Sequence, residues 1–129
     1  MATVTATITL TATNLTTDSL STTVLNTVTG VKTGGIHIKR FIETTAGNAQ
    51  ELAEEDSWAG TCYVYLRNAD ATGIISVLIG STSTAYMTLA PGEWAWFPWR
   101  ADDGDDIDIF QNIAEEDTGT LLEYGLFGA

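Results

Sequence analysis

Between Thr3 and Thr13 a threonine stands at every second position, 3, 5, 7, 9, 11 and 13. Ala2, Val4, Ala6, Ile8, Leu10 and Ala12 fill the places between. A helix would scatter these residues around its circumference, whereas a strand sends successive side chains to opposite faces. The stretch is therefore a strand, and a long one against the typical ~5–6 residues. Its apolar face grows from alanine near the start to leucine at position 10. Two readings follow: a plain first strand with a threonine-covered solvent face, which is preferred, or an arm over residues 1–13 that adds to a neighbouring chain.

The rest of the chain repeats the signal in shorter pieces. Leu20 to Val31 is β-prone with looser alternation, Leu20, Thr22, Val24, Asn26 and Val28 forming one file. Gly30 and Gly34-Gly35 bracket a turn. In Ile36 to Glu43, Ile36, Ile38, Arg40 and Ile42 share one face, and His37, Lys39, Phe41 and Glu43 the other. Thr44 to Gly60 is irregular and reads as a long surface loop ending at Trp58. From Cys62 to Pro98 the order is strand, turn, strand, short strand, turn, strand, which predicts an antiparallel meander. Asn68-Ala-Asp70-Ala-Thr-Gly73 groups side chains that bond their own backbone, and Pro91-Gly92 meets the needs of a type II turn. Ile107 to Ile113 and Thr120 to Phe127 are the last strands. The second of these is expected in a sheet interior or at an interface.

Eight or nine short strands, frequent turn signals and almost no helix predict an all-β fold. The expected architecture is one antiparallel β-sandwich domain of jelly-roll type over residues 1–129. At this length a chain can bury a core without metal or disulfide. With a single cysteine, Cys62, no internal disulfide can form. The opening residues lack a basic region and a continuous apolar run, so no signal peptide is expected. No stretch reaches the ~18 apolar residues of a membrane helix.

Charge is unevenly spread. Residues 1–50 carry Lys32, Lys39 and Arg40 against Asp18 and Glu43, a net of +1, while residues 51–129 carry two arginines against fifteen acids, a net of −13. The total of −12 argues against binding nucleic-acid phosphates. It suggests a near-neutral face for a partner and an acidic face for solvent, or acids that simply keep the chain soluble.

Catalytic chemistry is poorly represented. His37 and Cys62 stand alone of their kinds, and nothing places them together. Glu93, Asp108 and Glu123 would have to converge across a cleft to act as a carboxylate pair. No enzyme, cofactor or metal is expected. Asp102-Asp-Gly-Asp-Asp-Ile-Asp108 holds many hard oxygens but lacks the EF-hand order, so a solvated acidic turn is favoured over a calcium loop. Asn14-Leu-Thr16 matches a glycosylation acceptor by chance. The best lead is aromatic: Trp94-Ala-Trp96-Phe-Pro-Trp99, read as either a core cap or a contact surface. With Ile36, Lys39 and Arg40 these tryptophans are the expected interface.

Several of these segments resemble one family. Tyr63-Val-Tyr-Leu-Arg-Asn68, Leu89-Ala-Pro-Gly-Glu93 with an aromatic strand ending in Phe97-Pro98, Leu122-Glu-Tyr-Gly125 and the opening Asn14-Leu-Thr-Thr-Asp-Ser-Leu20 look like small structural proteins of tailed bacteriophages. That resemblance implies a virion component assembled in the host cytoplasm. Most directly it implies a capsid decoration (cement) protein, forming trimers or larger rings and bridging subunits of the major capsid protein. Its alternative is a tail or fibre protein that binds a host receptor or carbohydrate through exposed tryptophans. It supplies no catalytic residue.

Overall fold

Ten strands carry the chain in a computed structural model that describes residues 2–13, 20–31, 34–54, 57–58, 60–101, 105–112 and 118–128. They are β1 (Ala2–Ala12), β2 (Leu20–Val31), β3 (Ile36–Phe41), β4 (Gln50–Ala53), β5 (Thr61–Asn68), β6 (Ile74–Ile79), β7 (Met87–Leu89), β8 (Trp94–Arg100), β9 (Ile107–Asn112) and β10 (Thr120–Gly128). Strands β3 to β10 form two four-stranded antiparallel sheets, ordered β3-β10-β5-β8 and β4-β9-β6-β7. Only the β6–β7 link stays within one sheet; every other link between β3 and β10 crosses from one sheet to the other. This order is that of a jelly roll, an eight-stranded sandwich of two Greek keys. Strands β1 and β2 pair only with each other, outside both sheets.

The core follows from the alternation. Cys62, Val64 and Leu66 of β5, Phe41 of β3, Leu122 of β10 and Trp99 of β8 meet Ala53, Ile75, Val77, Leu89, Ile107 and Ile109 of the opposing sheet. Burial pushes the Cys62 thiol pKa up, so this cysteine is a small apolar filler.

The predicted meander from Cys62 to Pro98 is corrected. Strand β5 pairs with β8 and β6 with β7, so the four strands are nested rather than laid side by side. The two turns recognised in the sequence are both crossings, and Asn68 binds them into one corner. Its buried amide donates to Gly73 O at 2.7 Å and Leu89 O at 2.8 Å, and its Oδ1 accepts from Asp70 N–H at 3.0 Å. Its backbone bonds Glu93 O and Gly92 N, both at 2.9 Å. Asp70 continues the knot by accepting from Thr72, Gly73 and Leu121 backbone N–H groups. At the turn itself Glu93 N–H closes onto Ala90 O at 2.9 Å.

The long loop expected over Thr44 to Gly60 is also corrected. It contains a 3₁₀ turn, Ala46–Asn48, and the strand β4. Four residues with a glutamate among them carry little strand signal. Pairing with β9 and burial of Ala53 decide the conformation. At this end Gln111, fully buried, accepts from Thr120 Oγ1 at 3.1 Å and donates to Ile42 O at 3.1 Å.

Candidate interaction surface

The outer face of the β3-β10-β5-β8 sheet is unusually apolar for a surface. Its register sets side chains in rows: Ile38, Glu123, Arg67, Trp94; then Ile36, Gly125, Tyr65, Trp96; then Phe127, Tyr63, Pro98. Gly125 leaves a gap in the middle row, which the Phe127 ring and Ile36 fill; a Cβ there would meet both at under 3 Å. Tyr63 and Trp96 stack with centroids 5.6 Å apart, and Phe127 tilts against Trp96 at 5.9 Å. Tyr65 OH donates to Glu123 Oε1 at 2.7 Å, with Arg67 Nη1 3.9 Å from the same oxygen. Burial first, and then that bond, raise the Tyr65 pKa.

The β1–β2 hairpin lies partly over this face. Val4, Ala6, Ile8 and Leu10 pair with Val28, Asn26, Val24 and Thr22, so these residues share the side turned to the sheet. The opposite side pairs threonine with threonine at Thr3–Thr29, Thr5–Thr27 and Thr9–Thr23. A register shift at Ala2/Thr3 leaves Gly30 as an extra residue with φ +74°. This is the β-bulge in which glycine takes the left-handed conformation. It turns Val31 to the same side as Val28, and both bury against Phe127, with Val4, Tyr63, Tyr65 and Trp96 around them.

The seat loosens toward the hairpin's far end. Val24 and Leu10 are each more than half exposed, as is Leu25 on the threonine side. Between hairpin and sheet is a cleft of about 220 Å³ lined by Ala6, Ile8, Val24, Asn26, Tyr63, Trp96 and Pro98. Asn26 Oδ1 and Trp96 Nε1, one on each wall, are the two buried side-chain polar atoms without a hydrogen-bond partner among the described residues. Because the cleft opens over Trp96 and Pro98, the hairpin runs from its base on β10 toward the β8 edge.

The expected interface residues separate. Trp94 is more than half exposed on β8, Trp96 lies under the hairpin, and Trp99 is buried in the core, its Nε1 donating to Asp105 O at 2.8 Å. Trp99 is therefore a core residue rather than a contact residue, since it shares the inward parity of Ala95 and Phe97. Ile36, Lys39 and Arg40 sit on β3, three strand spacings or about 14 Å from Trp94. Ile36 and Arg40 face outward. Lys39 faces the other way, its Nζ 5.2 Å from the Phe41 ring centroid. Sequence reading did not single out Ile38 and Ile42, which are as exposed as Ile36. Nor did it single out the hairpin residues Leu10 and Val24. The signal was available: Ile38, Leu10 and Val24 are large apolar residues on strands with a free edge, and Ile42 follows β3 directly.

The three carboxylates do not converge. Glu93 accepts from Ala90 N–H in its own turn, Glu123 is on the outer face of one sheet, and Asp108 is on the outer face of the other. Burial, with Asp106 adding to it, raises the Asp108 pKa. A second cleft, about 290 Å³, opens beside β3 and is lined by Gly34, Gly35, His37, Leu52, Trp58, Tyr124 and Leu126. His37 and Tyr124, 5.5 Å apart, are its titratable groups. No group of three or more His, Cys, Asp or Glu able to hold a metal occurs among the described residues. Asn14, Asp102, Asp103 and Glu116, and with them the glycosylation match, most of the acidic turn and the acidic loops, lie outside the described residues.

The chain matches no protein-family model, no curated protein and no solved structure.

Proposed function

We propose that the protein is a structural component of a virus particle, a capsid decoration protein that holds neighbouring subunits together by adhesive contact. The observation that carries this reading is the hairpin, which leaves the sandwich with Leu10 and Val24 of its apolar side uncovered. A two-stranded ribbon is marginal in water by itself, and Leu10, Val24, Ile36 and Ile38 stand open to solvent. Such surface marks a protein contact more often than a catalytic site. The jelly roll agrees with it by analogy, since capsid and lectin domains share this architecture. So does the resemblance to small phage structural proteins. The tryptophan-platform alternative is left with one open indole, Trp94, because Trp96 is covered and Trp99 is internal.

The test is to incubate purified protein with expanded, empty tailed-phage capsids and pellet the shells. Decoration predicts co-sedimentation in a fixed ratio and a higher shell disruption temperature. Protein that stays in the supernatant would sink the proposal, and binding on a glycan array instead would move the function to a tail or fibre.

A further inference from the structure

The adhesive reading leaves open what the hairpin grips, and the two edges of the sheet suggest an answer. The hairpin's sheet-facing side is mostly apolar, interrupted on β2 by Asn26 and Thr22. Val4 and Val28 occupy its seated half, Ile8 and Val24 line the cleft over Trp96 and Pro98, and Val24 and Leu10, its overhang, are the two that stand more than half exposed. The overhang leaves over the β8 edge, past Trp96 and Pro98. On the opposite edge, β3 turns Ile36 and Ile38 outward, each more than half exposed. They lie on the same sheet face that already holds the hairpin's base. A single copy cannot bring the two together, because β10, β5 and β8 lie between β3 and the overhang.

We infer that the free end of one hairpin seats Leu10 and Val24 on Ile36 and Ile38 of a second copy, the β8 edge of one chain lying beside the β3 edge of the next. This occupant rests on the adhesive role proposed above and names its first partner as the chain itself. Charge favours it. The described hairpin residues carry none, so these two strands bring no charge to the contact with a chain of net −12, and the link between them adds one acid, Asp18. On the receiving strand Arg40, one of the five Lys and Arg of the chain, faces the same side as Ile36 and Ile38. The same junction receives Trp94, which sits on the β8 edge. Two different patches meet, so the contact is head-to-tail and closes as a ring or runs on as a filament.

The experiment uses the full chain and sedimentation-velocity and light-scattering mass at about 100 µM, where contacts weaker than micromolar are still populated. Wild type should give a species of three or more copies. The double variant L10D/V24D destroys the overhang, and I36D/I38D destroys the seat. Each should be monomeric with an unchanged circular-dichroism spectrum. Their mixture should form a pair and nothing larger, since it holds one good overhang facing one good seat. The milder pairs L10T/V24T and I36T/I38T serve if an aspartate variant unfolds, and should weaken assembly at least tenfold. A monomeric wild type, a wild-type dimer, variants that still assemble, or a mixture that stays monomeric or rebuilds the wild-type species would each overturn the inference. Oligomer mass is read without capsids. Rings that ignore shells would end the decoration role and leave this contact standing, and monomers that coat shells would do the reverse.

Discussion

Asn68 and Asn26 are the same side chain placed in two different kinds of surroundings. Asn68 sits at the corner where β5, the Asn68–Gly73 turn and the Pro91–Gly92 turn meet, and both ends of its amide are bonded. Asn26 sits between the hairpin and the outer sheet face, with its Oδ1 buried and unbonded beside an equally unbonded Trp96 Nε1. A buried polar atom without a partner costs about 1–3 kcal/mol. The sandwich is thus closed on itself, while the hairpin's seat is loosely made. The contrast separates what this fold needs for stability from what it leaves for contact.

The sharpest way to break that contrast is at the corner. Asn68→Ala strands Gly73 O, Leu89 O and Asp70 N–H together, and should lower stability by about 3–5 kcal/mol in urea unfolding. A loss below about 1 kcal/mol would mean the corner is not the tie described here. A smaller effect concerns acid. The backbone N–H of Thr72 above all, with those of Leu121, Gly73 and Ala71, holds the Asp70 carboxyl below its ordinary value. A carboxylate with a depressed folded pKa contributes stability above its unfolded pKa, and that contribution disappears as pH falls through the folded one. Below about pH 4 wild type should therefore lose stability that Asp70→Asn lacks from the start. Parallel melting curves for the two proteins would show that Asp70 is not a tie. The smallest change is expected at the hairpin. Asn26→Val removes a buried acceptor and puts a better strand former in the cleft, so it should raise stability by about 1 kcal/mol, measured the same way. A loss of similar size would mean that Asn26 is bonded in solution.

Much of the sandwich was legible because alternation and turn chemistry are local. In the run at β9 alternation separates Ile107, Ile109 and Gln111 from Asp108, Phe110 and Asn112, and Pro91-Gly92 shows where the chain reverses. Neither signal says whether the next strand lies beside the last or across from it. The nearly continuous apolar run Ile74–Ile79 suits both arrangements, which is why a meander was expected where a nested crossing occurs. Strand β4 was illegible because its identity comes from β9. At the interaction surface, strand parity was enough to separate Trp94 and Trp96 from Phe97, and the same parity places Trp99 with Phe97. The bulge at Gly30 had only an indirect trace, the looser alternation of β2, where Val28 and Val31 are three apart. An unpaired indole N–H under a hairpin leaves no trace in a string of letters.

The position of β10 has a bearing on how the molecule is made. It lies between β3 and β5, and its partner β3 stands roughly 80 residues earlier in the chain, a separation at which ring closure is entropically slow to find. On the ribosome, β3 and β5 must therefore wait with the flanks meant for β10 unoccupied, and open strand flanks are where chains join the wrong neighbour. A chain lacking β10 would leave a half-zipped sheet, its β3 and β5 flanks open to other copies.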